Sequence, residues 1–142
     1  MLSKIAGRPG LERFVPDAQR KMKKKILVVD DHPDIRRLLS IALGLEYEVF
    51  EAIDGATALQ AVRAHKPQAV LLDGMMPGGL DGLAVLDAIR CDPATQCTRV
   101  VMITARGQSA DQQTGLARGA DAYFIKPFSP MVIANWLRDN LK

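Results

Sequence analysis

The sequence has few cysteines and no long apolar run, and both shortages narrow the class of protein. Its 142 residues include two cysteines, Cys91 and Cys97, too few for a disulfide-rich scaffold. The two cysteines can form a disulfide or bind one metal ion together, but two reduced thiols are the better interpretation. No apolar run approaches the ~18 residues of a membrane span, and the N-terminus lacks the apolar segment of a secretory signal. We therefore expect a cytoplasmic location.

Basic residues are unevenly distributed along the chain. Residues 1–25 hold eight Lys and Arg against two Asp and Glu, whereas residues 26–142 hold 11 against 14. The net charge of +3 therefore comes from the N-terminal segment, and the remainder is mildly acidic. Glycine and proline are interspersed among the charges of this segment. We predict a basic, flexible leader over residues 1–23 and one folded domain over residues 24–142.

Short apolar runs alternate with helical patterns five times after the leader. Residues 26–29 and 69–72 are unbroken apolar runs, typical of strands buried on both faces of a parallel sheet. Further strands are predicted at about 47–52, 99–104 and 122–125, and helices at about 33–43, 54–65, 82–90, 108–118 and from 129 onward. Strict alternation of strand and helix predicts an α/β fold with helices on both faces of the sheet. The inner faces of the first and last helices are predicted to hold Ile35, Leu38, Leu39, Ala42 and Leu43, and Val132, Ile133, Trp136, Leu137 and Leu141.

Polar residues stand where the predicted strands end: Asp30, Asp31, Asp73, Thr104 and Lys126. The carboxyl ends of parallel strands share one edge, so these side chains should converge there. Two carboxylates ~4 Å apart repel by about 4 kcal/mol at an effective dielectric near 20. Lys126 and a hard divalent ion with oxygen ligands, Mg²⁺, are expected to offset that repulsion. A carboxylate beside Mg²⁺, a hydroxyl and a lysine is suited to accept a phosphoryl group.

Several motifs surround these residues: Ile26–Asp31, Leu72-Asp73, Met76-Pro77, Asp81-Gly82, Thr104-Ala105, and Tyr123 three residues before Lys126-Pro127. With them, the sequence from about Lys24 to Lys142 resembles the response-regulator receiver domain of two-component signalling, in its stand-alone, chemotaxis-regulator-like form. The resemblance implies a flavodoxin-like, doubly wound, five-stranded parallel sheet with strand order 2-1-3-4-5.

The resemblance also implies a role for each site residue. Asp73 is expected to be the phosphoacceptor. Asp31 is expected to bind Mg²⁺ directly, Asp30 mainly through water, and Met75 through its backbone carbonyl. Thr104 and Lys126 are expected to contact the phosphoryl group, with the Lys126-Pro127 bond cis. Thr104 and Tyr123 are expected to form the switch. One departure is the loop from Gly74 to Gly82, which is one residue longer than usual between its Pro and its Asp-Gly.

The leading functional hypothesis is a single-domain response regulator. It takes a phosphoryl group from a histidine kinase or phosphotransfer protein and signals to an unknown downstream protein. It is not expected to be an enzyme beyond its own phosphorylation and dephosphorylation. A phosphatase with an Asp nucleophile wants a second Asp two residues on, where this chain has Met75. The alternatives are a receiver-like scaffold that works without phosphorylation and a receiver fragment of a longer regulator; no DNA-binding domain is recognisable in 26–142.

Overall fold

The structure, a computed structural model, describes residues 23–76, 78–105 and 109–141. Most of the predicted leader, Pro77 and the predicted start of the fourth helix at 108 lie outside these ranges. The elements alternate as expected: β1 (Lys25–Val29), α1 (Pro33–Leu43), β2 (Glu48–Ala52), α2 (Gly55–His65), β3 (Ala69–Asp73), α3 (Gly82–Cys91), β4 (Arg99–Thr104), α4 (Ser109–Ala117), β5 (Ala122–Ile125) and α5 (Pro130–Asn140).

The five strands form one parallel sheet in the order β2-β1-β3-β4-β5, which confirms the predicted topology. The side chains of 26–29 and 69–72 are almost fully buried, as their unbroken apolar runs indicated. The register pairs Val29 with Leu72 and Asp73 with Ile103. The residues that follow β1, β3 and β4 are therefore brought to nearly the same level of the sheet.

Helices cover both faces of the sheet, and each face has its own apolar cluster. One cluster combines strand residues with Ala58 and Val62 of α2 and with Val85, Leu86 and Ile89 of α3. The other combines the opposite strand faces with residues of α1 and α5, namely Leu39, Leu43, Ile133, Ala134 and Leu137. No helix in the described part of the chain is both long and apolar enough to cross a membrane.

The predicted inner faces of α1 and α5 were partly wrong. Leu39 and Leu43 are buried, but Leu38 is 44% exposed and Ala42 is also exposed. Successive helical residues turn by about 100°, so Leu38 and Ala42 lie to one side of the stripe that meets the sheet. The apolar arc of α1 is wider than its contact face. On α5 the same holds for Val132, which is exposed although Ile133 and Leu137 are buried.

Candidate functional site

The carboxyl edge of the sheet gathers the polar residues that the sequence singled out. Asp30 follows β1, Asp73 and Thr104 end β3 and β4, and all three are at most 3% exposed. Lys126 follows β5 and reaches back across the sheet, so that its Nζ lies 2.8 Å from Asp30 Oδ2 and 3.5 Å from Asp73 Oδ2. The edge therefore holds two buried carboxylates that share one ammonium group. The Lys126-Pro127 peptide bond is cis, as the resemblance implied.

Asp30 is held at both of its carboxylate oxygens. Its Oδ2 accepts a hydrogen bond from Lys126 Nζ. Its Oδ1 accepts one from the backbone N–H of His32 at 2.9 Å and lies 3.0 Å from Nδ1 of the His32 ring. Arg36 also donates to the Asp30 carbonyl oxygen at 2.9 Å. These contacts fix Asp30 and leave Asp31 as the more accessible carboxylate of the pair.

The charge state of Asp73 reflects competition between burial and its neighbours. Burial raises its pKa, and the negative charge of Asp30 adds to the rise. The backbone N–H of Met75, which donates to Asp73 Oδ1 at 3.1 Å, and the charge of Lys126 lower the pKa, but the net shift is upward. Burial lowers the pKa of Lys126, yet its hydrogen bond to Asp30 and the charge of Asp73 outweigh burial and raise it. Lys126 is therefore cationic at neutral pH.

Close backbone contacts bring the start of α3 against the end of β3. A Cβ on Gly82 would lie 2.4 Å from the Asp73 carbonyl oxygen and 2.7 Å from Gly74 Cα, which no side chain tolerates. A Cβ on Gly74 would lie 3.0 Å from Thr104 Oγ1, so the Thr104 hydroxyl sits beside the residue that follows Asp73. Asp81 caps α3 by accepting a hydrogen bond from the backbone N–H of Ala84 at 2.9 Å. In the Asp-Gly motif, Asp81 therefore caps α3, and Gly82 allows the start of α3 to pack against the backbone at the end of β3.

The longer loop between β3 and α3 is anchored at Leu80. A Cβ on Gly55, the first residue of α2, would lie 2.5 Å from Leu80 Cβ, and Leu80 packs against the apolar cluster on that side of the sheet. Gly78 has a φ of +91°, a left-handed conformation that glycine adopts at little cost. Leu80 and Gly78 lie in the outer part of the loop, and at its start the backbone N–H of Met75 stays hydrogen-bonded to Asp73.

The residues at the edge fit a divalent cation. Ligand atoms of Asp30, Asp31, His32 and Asp73 all lie within 4.8 Å of one another. Asp31 Oδ1 is buried and has no hydrogen-bond partner among the described residues, and a buried carboxylate oxygen without a partner costs free energy that a cation would offset. Oxygen donors of this kind are those that Mg²⁺ prefers. The Met75 carbonyl stays a ligand predicted from the resemblance.

His32 is the member of this group that sequence reasoning missed. The signal was available in the sequence, because His32 directly follows the Asp pair. The sequence contains one other histidine, His65. Its ring stacks on Phe50 with the ring centroids 3.9 Å apart. Cys91 and Cys97 are exposed and free, as expected for reduced thiols.

Tyr123 lies on β5 beside α4. A Cβ on Gly115 of α4 would lie 3.4 Å from two ring carbons of Tyr123 and 3.9 Å from Met102 of β4. The Tyr123 ring is partly buried and packs against the cluster that contains Met102. Tyr123 therefore contacts the helix that follows Thr104 in the chain.

Comparisons with known proteins agree with this geometry. Residues 26–138 match the response regulator receiver domain family, and the chain belongs to that family. It is 45% identical over 121 residues to a probable transcriptional regulator, ycf27, of Cyanophora paradoxa, covering 84% of this chain and 49% of the relative. It is 39% identical over 122 residues to the DNA-binding response regulator MtrA of Mycolicibacterium smegmatis, covering 85% of this chain and 52% of the relative.

The same agreement holds for solved structures. The chemotaxis protein CheY4 of Vibrio cholerae superposes with a TM-score of 0.76 at 30% identity, covering 82% of this chain and 98% of that one. The chain spans about half the length of the curated relatives described above, whereas it covers almost the whole length of this structural neighbour.

Proposed function

We propose that the chain is a phosphorylation switch whose phosphoacceptor is Asp73. The observation that carries the proposal is the placement of Asp73, which is 3% exposed at the end of β3 with Lys126 Nζ 3.5 Å from its Oδ2. The donor is a phosphohistidine on a histidine kinase or a phosphotransfer protein, and the reaction takes place in the cytoplasm. Beyond gaining and losing its own phosphoryl group, the chain turns over no substrate.

The transfer needs groups that stabilise the negative charge on the phosphoryl oxygens. An Asp73 carboxylate oxygen forms the new P–O bond while the P–N bond to the donor imidazole breaks, and the electron pair of that bond returns to the imidazole nitrogen. Lys126 stays cationic and can contact one phosphoryl oxygen, and the buried Thr104 hydroxyl beside Gly74 can donate to another. When bound, Mg²⁺ would supply positive charge that offsets the charge of the phosphoryl oxygens. Asp31, whose Oδ1 has no hydrogen-bond partner among the described residues, would supply a direct ligand, beside Asp30, which Lys126 and His32 hold in place.

The proposed output surface is formed by α4, β5 and α5. This face exposes large apolar side chains that its own helices do not cover: Leu116, Ile125, Met131 and Val132. Movement of Thr104 toward a phosphoryl group on Asp73 changes the space available to Tyr123, whose ring already lies against Gly115. Phosphorylation shifts the equilibrium between the two arrangements of Thr104 and Tyr123 only by the difference in how strongly each arrangement interacts with the phosphoryl group. The binding partner on this surface is a downstream protein.

The single-domain form is part of the proposal, and the names of the longer relatives supply the alternative. Those relatives are a transcriptional regulator and a DNA-binding response regulator, so a receiver that controls an attached DNA-binding segment is the second candidate. The chemistry at Asp73 is the same in both. The two forms differ in whether the α4–β5–α5 surface contacts another protein or another part of the same polypeptide.

A phosphorylation assay tests the proposal. The full chain is incubated with acetyl phosphate and Mg²⁺, and the acyl phosphate is reduced with borohydride and mapped. We expect label on Asp73 alone, none in Asp73→Asn, and full label in Asp81→Asn, a matched control because Asn also caps helices. Label on another residue, or undiminished label in Asp73→Asn, would refute the assignment, and no label in the wild type would favour the scaffold.

A further inference from the structure

We propose that His32 is a nitrogen ligand of the divalent ion at this edge, and that it gives the site a preference for imidazole-binding ions such as Ni²⁺ and Zn²⁺ over Mg²⁺. The proposal rests on the proposed function only in using the same cation site. It starts from three donor atoms that come together at the N-terminus of α1. His32 Nδ1 lies 3.0 Å from Asp30 Oδ1 and 3.2 Å from Asp31 Oδ1.

These separations fit adjacent ligands of one metal ion. When metal–ligand bonds are about 2.1 Å long, neighbouring ligands of an octahedral ion are about 3.0 Å apart and opposite ligands about 4.2 Å apart. The distances from His32 Nδ1 to both carboxylate oxygens match the spacing of neighbours, and the group including Asp73 spans no more than 4.8 Å. An ion can therefore be shared with small side-chain shifts.

The backbone holds His32 in position for this role. Its N–H donates to Asp30 Oδ1, it is the N-cap of α1, and Pro33 follows it at the first helical position. Its ring is 66% exposed, so the ring can carry its proton on Nε2 and offer the Nδ1 lone pair to an ion. Lys126 holds the opposite oxygen of Asp30, Oδ2, at 2.8 Å. The ammonium group therefore does not occupy the side of the carboxylate that faces the ring.

Asp31 supplies the independent sign that a cation belongs between these groups. Its Oδ1 is buried, has no hydrogen-bond partner among the described residues, and is the atom that lies 3.2 Å from His32 Nδ1. If the ring only donated a hydrogen bond to Asp30, Asp31 Oδ1 would stay without a partner. An ion bound to all three atoms satisfies both carboxylates and the ring at once.

The ligand set decides which ions gain from His32. Imidazole suits Zn²⁺, Ni²⁺, Cu²⁺ and Fe²⁺, whereas Mg²⁺ prefers oxygen and keeps several waters. An imidazole next to two carboxylates therefore strengthens binding of transition ions and adds little for Mg²⁺. Transition ions then compete with Mg²⁺ at the phosphoacceptor site, so the ion present in excess determines which form of the site receives the phosphoryl group.

Calorimetric titration of the metal-free full chain tests the proposal, with Ni²⁺ and Mg²⁺ as separate probes. The titrations use Cys91→Ser/Cys97→Ser as the background, because both thiols are exposed and bind soft ions. We expect His32→Ala and His32→Gln each to weaken Ni²⁺ binding by about tenfold or more and to leave Mg²⁺ affinity unchanged. The unchanged Mg²⁺ affinity also shows that the variants fold. The matched control is His65→Ala, which should bind Ni²⁺ as the background does.

The outcomes separate this proposal from the proposed function. Asp31→Ala should weaken both ions, and intact Mg²⁺ binding in that variant would contradict the proposed cation site itself. His32 variants that bind Ni²⁺ as tightly as the background, that lose Mg²⁺ and Ni²⁺ equally, or that match His65→Ala would overturn the role of His32. In those cases its ring contact with Asp30 is a structural hydrogen bond at the start of α1.

Discussion

Replacing Lys126 with methionine tests how the carboxylates at the sheet edge are kept together. Methionine retains an unbranched apolar side chain but removes the charge that lies 2.8 Å from Asp30 and 3.5 Å from Asp73. At an effective dielectric near 20 these two attractions are worth about 6 and about 5 kcal/mol before desolvation is counted. Desolvation offsets most of that sum. Losing one partner of a buried pair typically costs about 3–5 kcal/mol, and because Lys126 is 18% exposed we expect about 3 kcal/mol.

The pH dependence of this loss follows from the two pKa shifts. Because burial raises the pKa of Asp73, its ionised form costs stability at neutral pH, and that cost disappears as pH falls toward the ordinary value. Because the pKa of Lys126 is raised, its stabilisation is present below its ordinary pKa and is lost as pH rises through the raised one. The difference in the free energy of unfolding between wild type and Lys126→Met should therefore be largest at neutral pH and become smaller at both low and high pH.

Urea unfolding in metal-free buffer, followed by the fluorescence of Trp136, measures the difference. Lys66→Met is the matched control, because Lys66 is exposed and has no ion pair within the described ranges; it should cost less than about 0.5 kcal/mol. Adding Asp73→Asn to Lys126→Met should restore part of the lost stability. Our reasoning fails if Lys126→Met is as stable as the wild type at pH 7, or if its loss stays constant down to pH 4.

Three further predictions concern the metal, the leader and α4. Asp31→Ala should abolish the amide shifts that Mg²⁺ causes near the site, since Asp31 Oδ1 is the oxygen that has no hydrogen-bond partner among the described residues. If the variant shows the same shifts on Mg²⁺ titration as the wild type, this prediction is wrong. A chain starting at Met22 should keep the melting temperature of the full chain, because residues 1–21 show no periodic apolar face, whereas a loss of several degrees would show that they pack on the domain. Gly115→Ala should raise stability by up to about 1 kcal/mol and, in amide exchange with and without beryllofluoride, reduce the changes expected within residues 104–125.

Sequence patterns predicted the fold, and the convergence of Asp30, Asp73 and Lys126 at one edge, where the signal is local or follows from the sheet. Unbroken apolar runs predicted the central strands, and a carboxylate at the end of such a run must lie at the sheet edge, so Asp30 and Asp73 could be placed together. The contribution of Lys126 followed from the same topology, since every parallel strand ends at one edge. None of these inferences needed the conformation of a single side chain.

What the sequence did not predict depends on contacts between distant residues. The exposure of Leu38 and Val132 is set by how each helix is rotated against the sheet, which the apolar arc alone does not determine. The anchoring of the longer loop depends on Leu80 meeting Gly55, 25 residues earlier in the chain. The proposed role of His32 depends on the position of its ring relative to Asp30 and Asp31, which no sequence pattern determines.

The packing around Asp73 differs from the packing of α4, which belongs to the proposed output surface. Around Asp73 the backbone is closely packed, because Gly82 allows a contact with the Asp73 carbonyl oxygen that any side chain would prevent, and Gly74 lies close to the Thr104 side chain. In contrast, α4 carries Gly115 and exposes Leu116, and elements with few buried apolar contacts open at low cost. In the proposed switch, a phosphoryl group on Asp73 would change the position of Thr104, and we expect α4, with the Tyr123 ring against it, to take up that change.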